Sequence, residues 1–130
     1  LNALGIAIWY MDDGAISFRK TKGKIHGFYI RISTCIPKEN IQIIIDYFKE
    51  MWNINFYPFN EGRGTFSLCC GTREGIKFIK IVEPYVNQIP SMRYKIQYDL
   101  STISHKDLGV DFAYCNFETQ NTDLIGEDIV

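Results

Sequence analysis

Two adjacent carboxylates, Asp12 and Asp13, precede Gly14 at the end of the apolar stretch that opens the chain. Leu4, Ile8 and Met11 recur at helical spacing, and Ala3 and Ala7 mark a neighbouring stripe of small residues. The stretch therefore reads as a helix able to pack closely, terminated by Gly14. Anions at that end oppose the partial negative charge of the last helical carbonyls, so something positive should lie nearby. A divalent cation would satisfy the conflict, because carboxylate and carbonyl oxygens are suitable ligands for magnesium or manganese. The competing reading is a plain Asp-Asp-Gly turn with both side chains solvated. Further along, Lys95 follows Tyr94 in Ile89-Pro90-Ser91-Met92-Arg93-Tyr94-Lys95-Ile96. By itself it reads as a surface lysine.

These residues need elements to hold them. Alternating segments Ala15 to Lys20 and His26 to Ser33, joined by Lys22-Gly23-Lys24, predict a β-hairpin. Pro37 suits a helix start, and Ile41, Ile44, Ile45, Phe48 and Trp52 form an amphipathic stripe behind it. A second hairpin is expected from Ile54 to Phe59 and Thr65 to Cys70, around the turn Asn60 to Gly64. Thr72 is a candidate cap for a third helix bearing Phe78, Ile79 and Val82, which Pro84 should break or bend. The order αββαββα predicts an α+β fold, a four-stranded antiparallel sheet with its helices on one face. Phe48, Trp52, Phe66 and Phe78 are most simply core.

The other sheet face would be open. Ser17, Arg19, Tyr29, Arg31, Tyr57 and Ser67 alternate onto it, flanked by the loop cations Lys20, Lys22, Lys24 and Arg63. Strands laid in the major groove of DNA can read base edges with such side chains, while lysines and arginines neutralise phosphates. The overall charge of −1 does not exclude this reading. Residues 101 to 130 hold one base, Lys106, and six acids, which leaves thirteen bases against nine acids, a net +4, over residues 1 to 100. The expected division is thus one domain over 1–100 and an acidic C-terminal extension over 101–130, a partly flexible tail or a linker.

At 130 residues with 46% hydrophobic content, the chain can bury one core. The apolar run near Ile6 to Met11 is too short for a membrane span and no signal peptide precedes it, so the expectation is a soluble intracellular protein, in cytoplasm or an organelle matrix. Cys35, Cys69, Cys70 and Cys115 lack paired metal spacing, and His26 and His105 form no ligand cluster. The absence of an initial methionine points to a piece of a longer polypeptide.

The segment Ala7-Ile8-Trp9-Tyr10-Met11-Asp12-Asp13-Gly14 resembles the divergent LAGLIDADG motif of homing endonucleases, in the branch ending in Trp, aromatic, Met, Asp, Asp, Gly. Ile8 replaces the motif's first Gly and Met11 its first Asp. Glu83-Pro84-Tyr85 and the Tyr94-Lys95 segment resemble the closing part of the same branch, in the same order. The resemblance covers residues 1 to about 100. It implies a magnesium- or manganese-dependent, site-specific double-strand DNA endonuclease, intron-encoded or borne by an intein, with Asp13 as the metal-binding carboxylate. It also implies the Asp12 backbone carbonyl or its mate as a further ligand, and Lys95 as the residue that orders solvent or offsets charge. Motif helices of two units would pack together, with Ala3 and Ala7 permitting close approach, so one chain supplies half a site. A homodimer or a second repeat in the same polypeptide would complete it. The chain departs from the family near the second helix, where Thr34-Cys35-Ile36 stands in place of a frequent Gln. An intron maturase or a non-cleaving nucleic-acid binder on the same scaffold is the alternative.

Overall fold

The computed structural model describes residues 1–103. The chain runs α1 (Ala3–Asp13), β1 (Gly14–Thr21), β2 (Lys24–Pro37), α2 (Lys38–Trp52), β3 (Tyr57–Asn60), β4 (Thr65–Cys70) and α3 (Thr72–Val86), then 3-10 turns at Pro90–Lys95 and Leu100–Thr102. The strands form one antiparallel sheet in the order β1-β2-β4-β3. This is the α+β, αββαββα arrangement that the sequence predicts. None of the described helices is long and apolar enough to cross a membrane.

The first hairpin turns at Lys22 and Gly23, whose φ angles of 52° and 80° are both left-handed. Such turns match the twist of the strands they join. In β2 the residues Phe28, Ile30 and Ile32 are fully buried while Tyr29 and Arg31 are exposed, so the sheet has one packed face. Leu68 and Cys70 of β4 continue that packed face. Against it lies a ring cluster of Tyr10, Phe48, Phe56 and Phe78, with centroids 4.9–5.7 Å apart along the chain of edge-on contacts. Each fully buried ring of this kind contributes about 1.5–3 kcal/mol. Phe48 and Phe78 are thus core, with Trp52 and Phe66 partly buried around it.

Several local expectations need correction. The strand β3 starts at Tyr57 rather than Ile54, because the preceding amides are committed elsewhere. Asn53 takes a left-handed conformation (φ 57°) to close α2, the Ile54 N–H returns to the Phe48 carbonyl, and the Asn55 N–H donates to Glu74. Thr72 is not the cap of α3; Gly71 is, and the Thr72 hydroxyl instead donates to the Phe28 carbonyl and accepts from its N–H, both at 2.9 Å. Pro84 does not break α3, which runs two residues further to Val86. Ile103 is buried in the core, so the packed unit extends past residue 100. The acidic stretch 104–130, with His105 and Cys115, lies outside the described residues.

The motif helix does not present Ala7 to a second unit, as the family resemblance implies. Ile6, Ala7 and Tyr10 are its fully buried residues, whereas Leu4 and Ile8 are 45% and 54% exposed. Ala7 therefore packs inside its own unit and cannot serve a contact between two helices. The free side of α1 is the apolar one through Leu1, Leu4 and Ile8.

Candidate active site and nucleic-acid face

The end of α1 is built by a reciprocal tie. The Tyr10 hydroxyl donates to the Lys95 carbonyl at 2.6 Å, and the Lys95 ammonium donates to the Met11 carbonyl at 2.6 Å. Lys95 is buried, not a surface lysine, and supplies the positive charge that a carbonyl end flanked by two carboxylates calls for. Burial pushes the Tyr10 hydroxyl well above its ordinary pKa, with Cys70 and Tyr94 adding to the shift, so it remains a proton donor. Gly14 closes the helix with extended backbone (φ −94°), and its N–H donates to the Tyr10 carbonyl. What position 14 requires is space: a Cβ there would sit 2.1 Å from the Tyr10 ring. Tyr10 thus holds both Gly14 and Lys95 close to the helix end, while Asp12 and Asp13 project into solvent.

Hard oxygen donors therefore sit together at the helix end with one buried ammonium behind them, a donor set suited to a small divalent cation. Among the described residues no group of three or more His, Cys, Asp and Glu could hold a metal ion by itself. Position 35, near which the family often carries Gln, lies in the β2 bulge between Ser33 and Ile36, with Cys35 exposed in left-handed conformation. The Thr34 hydroxyl is committed to the Phe66 carbonyl.

The open sheet face gathers the predicted polar residues in register. Ser17 pairs with Tyr29, Arg31 with Cys69 and Cys69 with Tyr57, so their side chains share one face. Arg19 lies on that face beside the bulge that separates it from Lys20, and Lys20, Lys22, Lys24 and Arg63 are exposed around the hairpin turns. Ser67 is on the same face but fully buried, because its hydroxyl is bound to Glu61. Phe59 was not among the expected residues; it carries the Arg31 guanidinium 5.0 Å from its ring centroid. Its parity with Tyr57 was the available signal. Glu61 was also missed, and a turn residue gives no such signal. Burial raises the Cys69 thiol, an effect that Arg31 opposes and Glu61 reinforces. Burial likewise raises the Tyr57 hydroxyl, with Cys69, Cys70 and Tyr29 reinforcing it and Arg19 opposing it.

The profile of the LAGLIDADG DNA endonuclease family matches residues 1–78, from α1 into α3. The chain belongs to the LAGLIDADG DNA endonuclease family. Among curated proteins, this LAGLIDADG chain is similar to Protein RecA of Mycolicibacterium flavescens, 34% identical over 103 residues, and of Mycolicibacterium chitae, 33% identical over 103 residues. Each match covers 74% of this chain, which spans only about a quarter (24%) of the relatives' length. Among solved structures it shares the fold of the homing endonuclease I-WcaI bound to its DNA recognition sequence, with a TM-score of 0.64 and 23% identity. That match covers 77% of this LAGLIDADG chain and 42% of the other.

Proposed function

We propose that this chain is one half of a site-specific double-strand DNA endonuclease that hydrolyses phosphodiester bonds with bound magnesium or manganese. The observation that carries the reading is the buried Lys95 ammonium bound to the Met11 carbonyl at the end of the helix that closes on Asp13, a helix whose outer side is apolar and exposed. The Asp13 carboxylate and the Asp12 backbone carbonyl are the groups assigned to the cation. Bound there, such a cation would activate water and stabilise the leaving oxygen of a phosphodiester. Lys95, fixed by Met11 and Tyr10, holds its ammonium where it offsets negative charge that grows in the transition state.

A second acidic motif would contribute the matching carboxylate of the paired site. The exposed Leu4 and Ile8 offer the packing surface for it, on a second copy or on a linked repeat. The chain covers 42% of the I-WcaI chain and 24% of the RecA relatives, which supports reading it as one unit of a longer polypeptide; an intein or intron as the carrier is part of the proposal. Duplex DNA would be bound by the sheet face, with Arg19, Arg31, Tyr29, Tyr57 and Ser17 toward the bases and the loop cations toward phosphates. Ser67 would join them only after parting from Glu61.

A second reading rests on the aromatic content of the same face. Tyr29, Tyr57 and Phe59 are 40–49% exposed, and exposed rings on a sheet stack unpaired bases. A maturase or non-cleaving binder would use them for single strands. The test is to offer a random duplex library with magnesium and sequence the ends produced. Recurrent metal-dependent cut sites fit the endonuclease; preference for single strands with no cut ends would reject it in favour of the second reading.

A further inference from the structure

We propose that Glu61 is a specificity-determining residue that accepts a hydrogen bond from the amino group of a cytosine in the major groove. The inference rests on the sheet being the duplex-binding face. Glu61 follows β3 directly, and its N–H is fixed by the Thr65 carbonyl across the turn. Its carboxylate folds back over the sheet, where Oε2 accepts from Ser67 Oγ at 2.5 Å and from Ser33 Oγ at 3.3 Å. Ser33 and Ser67 are themselves partners across β2 and β4, the two central strands. An exposed carboxylate is thereby held above the middle of a face that otherwise carries Arg19 and Arg31.

An anion at that place is repelled by phosphate and cannot be a backbone contact. On the floor of the major groove the available donors are the amino groups of cytosine and adenine. A carboxylate has no proton to give, so the acceptor N7 beside the adenine amino group opposes its second oxygen, whereas the cytosine edge presents only the donor. Both serines bond Oε2, which assigns Oε1 to the base. The two hydroxyls set the carboxylate's orientation before binding, as a reading group requires.

The full chain, as wild type, Glu61→Gln and Glu61→Ala, is equilibrated with a random duplex library, and the bound fraction is sequenced. The wild type should enrich cytosine roughly tenfold at one position. Glu61→Gln keeps its amide oxygen as the acceptor for both serines and turns a donor NH2 toward the groove, so the preference there should leave cytosine for a base with an acceptor edge, guanine or thymine. Glu61→Ala should leave that position without preference. The same base preference in all three proteins, or a uniform affinity gain without a change of preference, overturns the proposal and leaves Glu61 a latch for the turn. Failure of the wild type to bind any duplex in a salt-dependent way would instead overturn the duplex reading itself.

Discussion

Replacing Tyr10 by Phe isolates the tie between the motif helix and the segment that brings Lys95 to it. The ring is fully buried and stacks edge-on against Phe78 at 5.2 Å, and Phe preserves that packing. What disappears is the 2.6 Å hydrogen bond to the Lys95 carbonyl. Losing a neutral hydrogen bond costs about 1 kcal/mol, and leaving the acceptor buried without a partner raises the loss to about 1–3 kcal/mol. For a domain of this size each kcal/mol corresponds to roughly 4–8 °C, so Tm should fall by roughly 5–20 °C. Urea unfolding of Tyr10→Phe, Lys95→Met and the double variant measures both the loss and the coupling. Because the two hydrogen bonds brace the same junction, the coupling should exceed ~0.5 kcal/mol. A Tyr10→Phe loss below ~0.3 kcal/mol, or strictly additive effects, refutes the idea that Tyr10 positions Lys95.

Gly14→Ala should destabilise by about 1–3 kcal/mol in the same unfolding assay, since its Cβ would meet the Tyr10 ring and the Tyr10 carbonyl at 2.1–2.6 Å. Ile8→Lys, on the free side of α1, should leave stability within ~0.5 kcal/mol of the wild type yet abolish pairing of units on duplex DNA, read by sedimentation. Burial raises the Cys70 thiol above its ordinary value of 9.0, so the unfolded chain releases this proton first as pH rises. The stabilisation is whole below pH ~9 and declines above it; urea midpoints between pH 8 and 11 should fall less steeply in Cys70→Ala than in the wild type.

The hairpins and the helix order were legible because strand alternation and turn residues are local signals. Gly23 at the first turn and the Phe28-Ile30-Ile32 parity illustrate this, and the Arg31 side was placed correctly by the same rule. The orientation of α1 was not legible, because the helix is apolar around most of its circumference and spacing cannot select among several apolar stripes. Leu4 and Ile8 matched a helical period as well as Ile6 and Tyr10 do. The start of β3 depended on where the Ile54 and Asn55 amides found acceptors, one of them Glu74 on a distant helix. The conflict of Asp12 and Asp13 with their helix end called for a positive charge nearby, and a lysine ammonium lies there. That Lys95 supplies it depends on a contact 84 residues apart in sequence.

The central claim, that Asp13 is the acidic ligand of a DNA-cleaving site, is tested most directly by Asp13→Asn. Asp13 is exposed at the end of α1, so the fold should hold, and removal of an anion from that end should leave Tm unchanged or slightly raised. Cleavage of a duplex that the wild type cuts with magnesium should then vanish while affinity for that duplex persists. Cutting by Asp13→Asn at the wild-type rate would contradict the account.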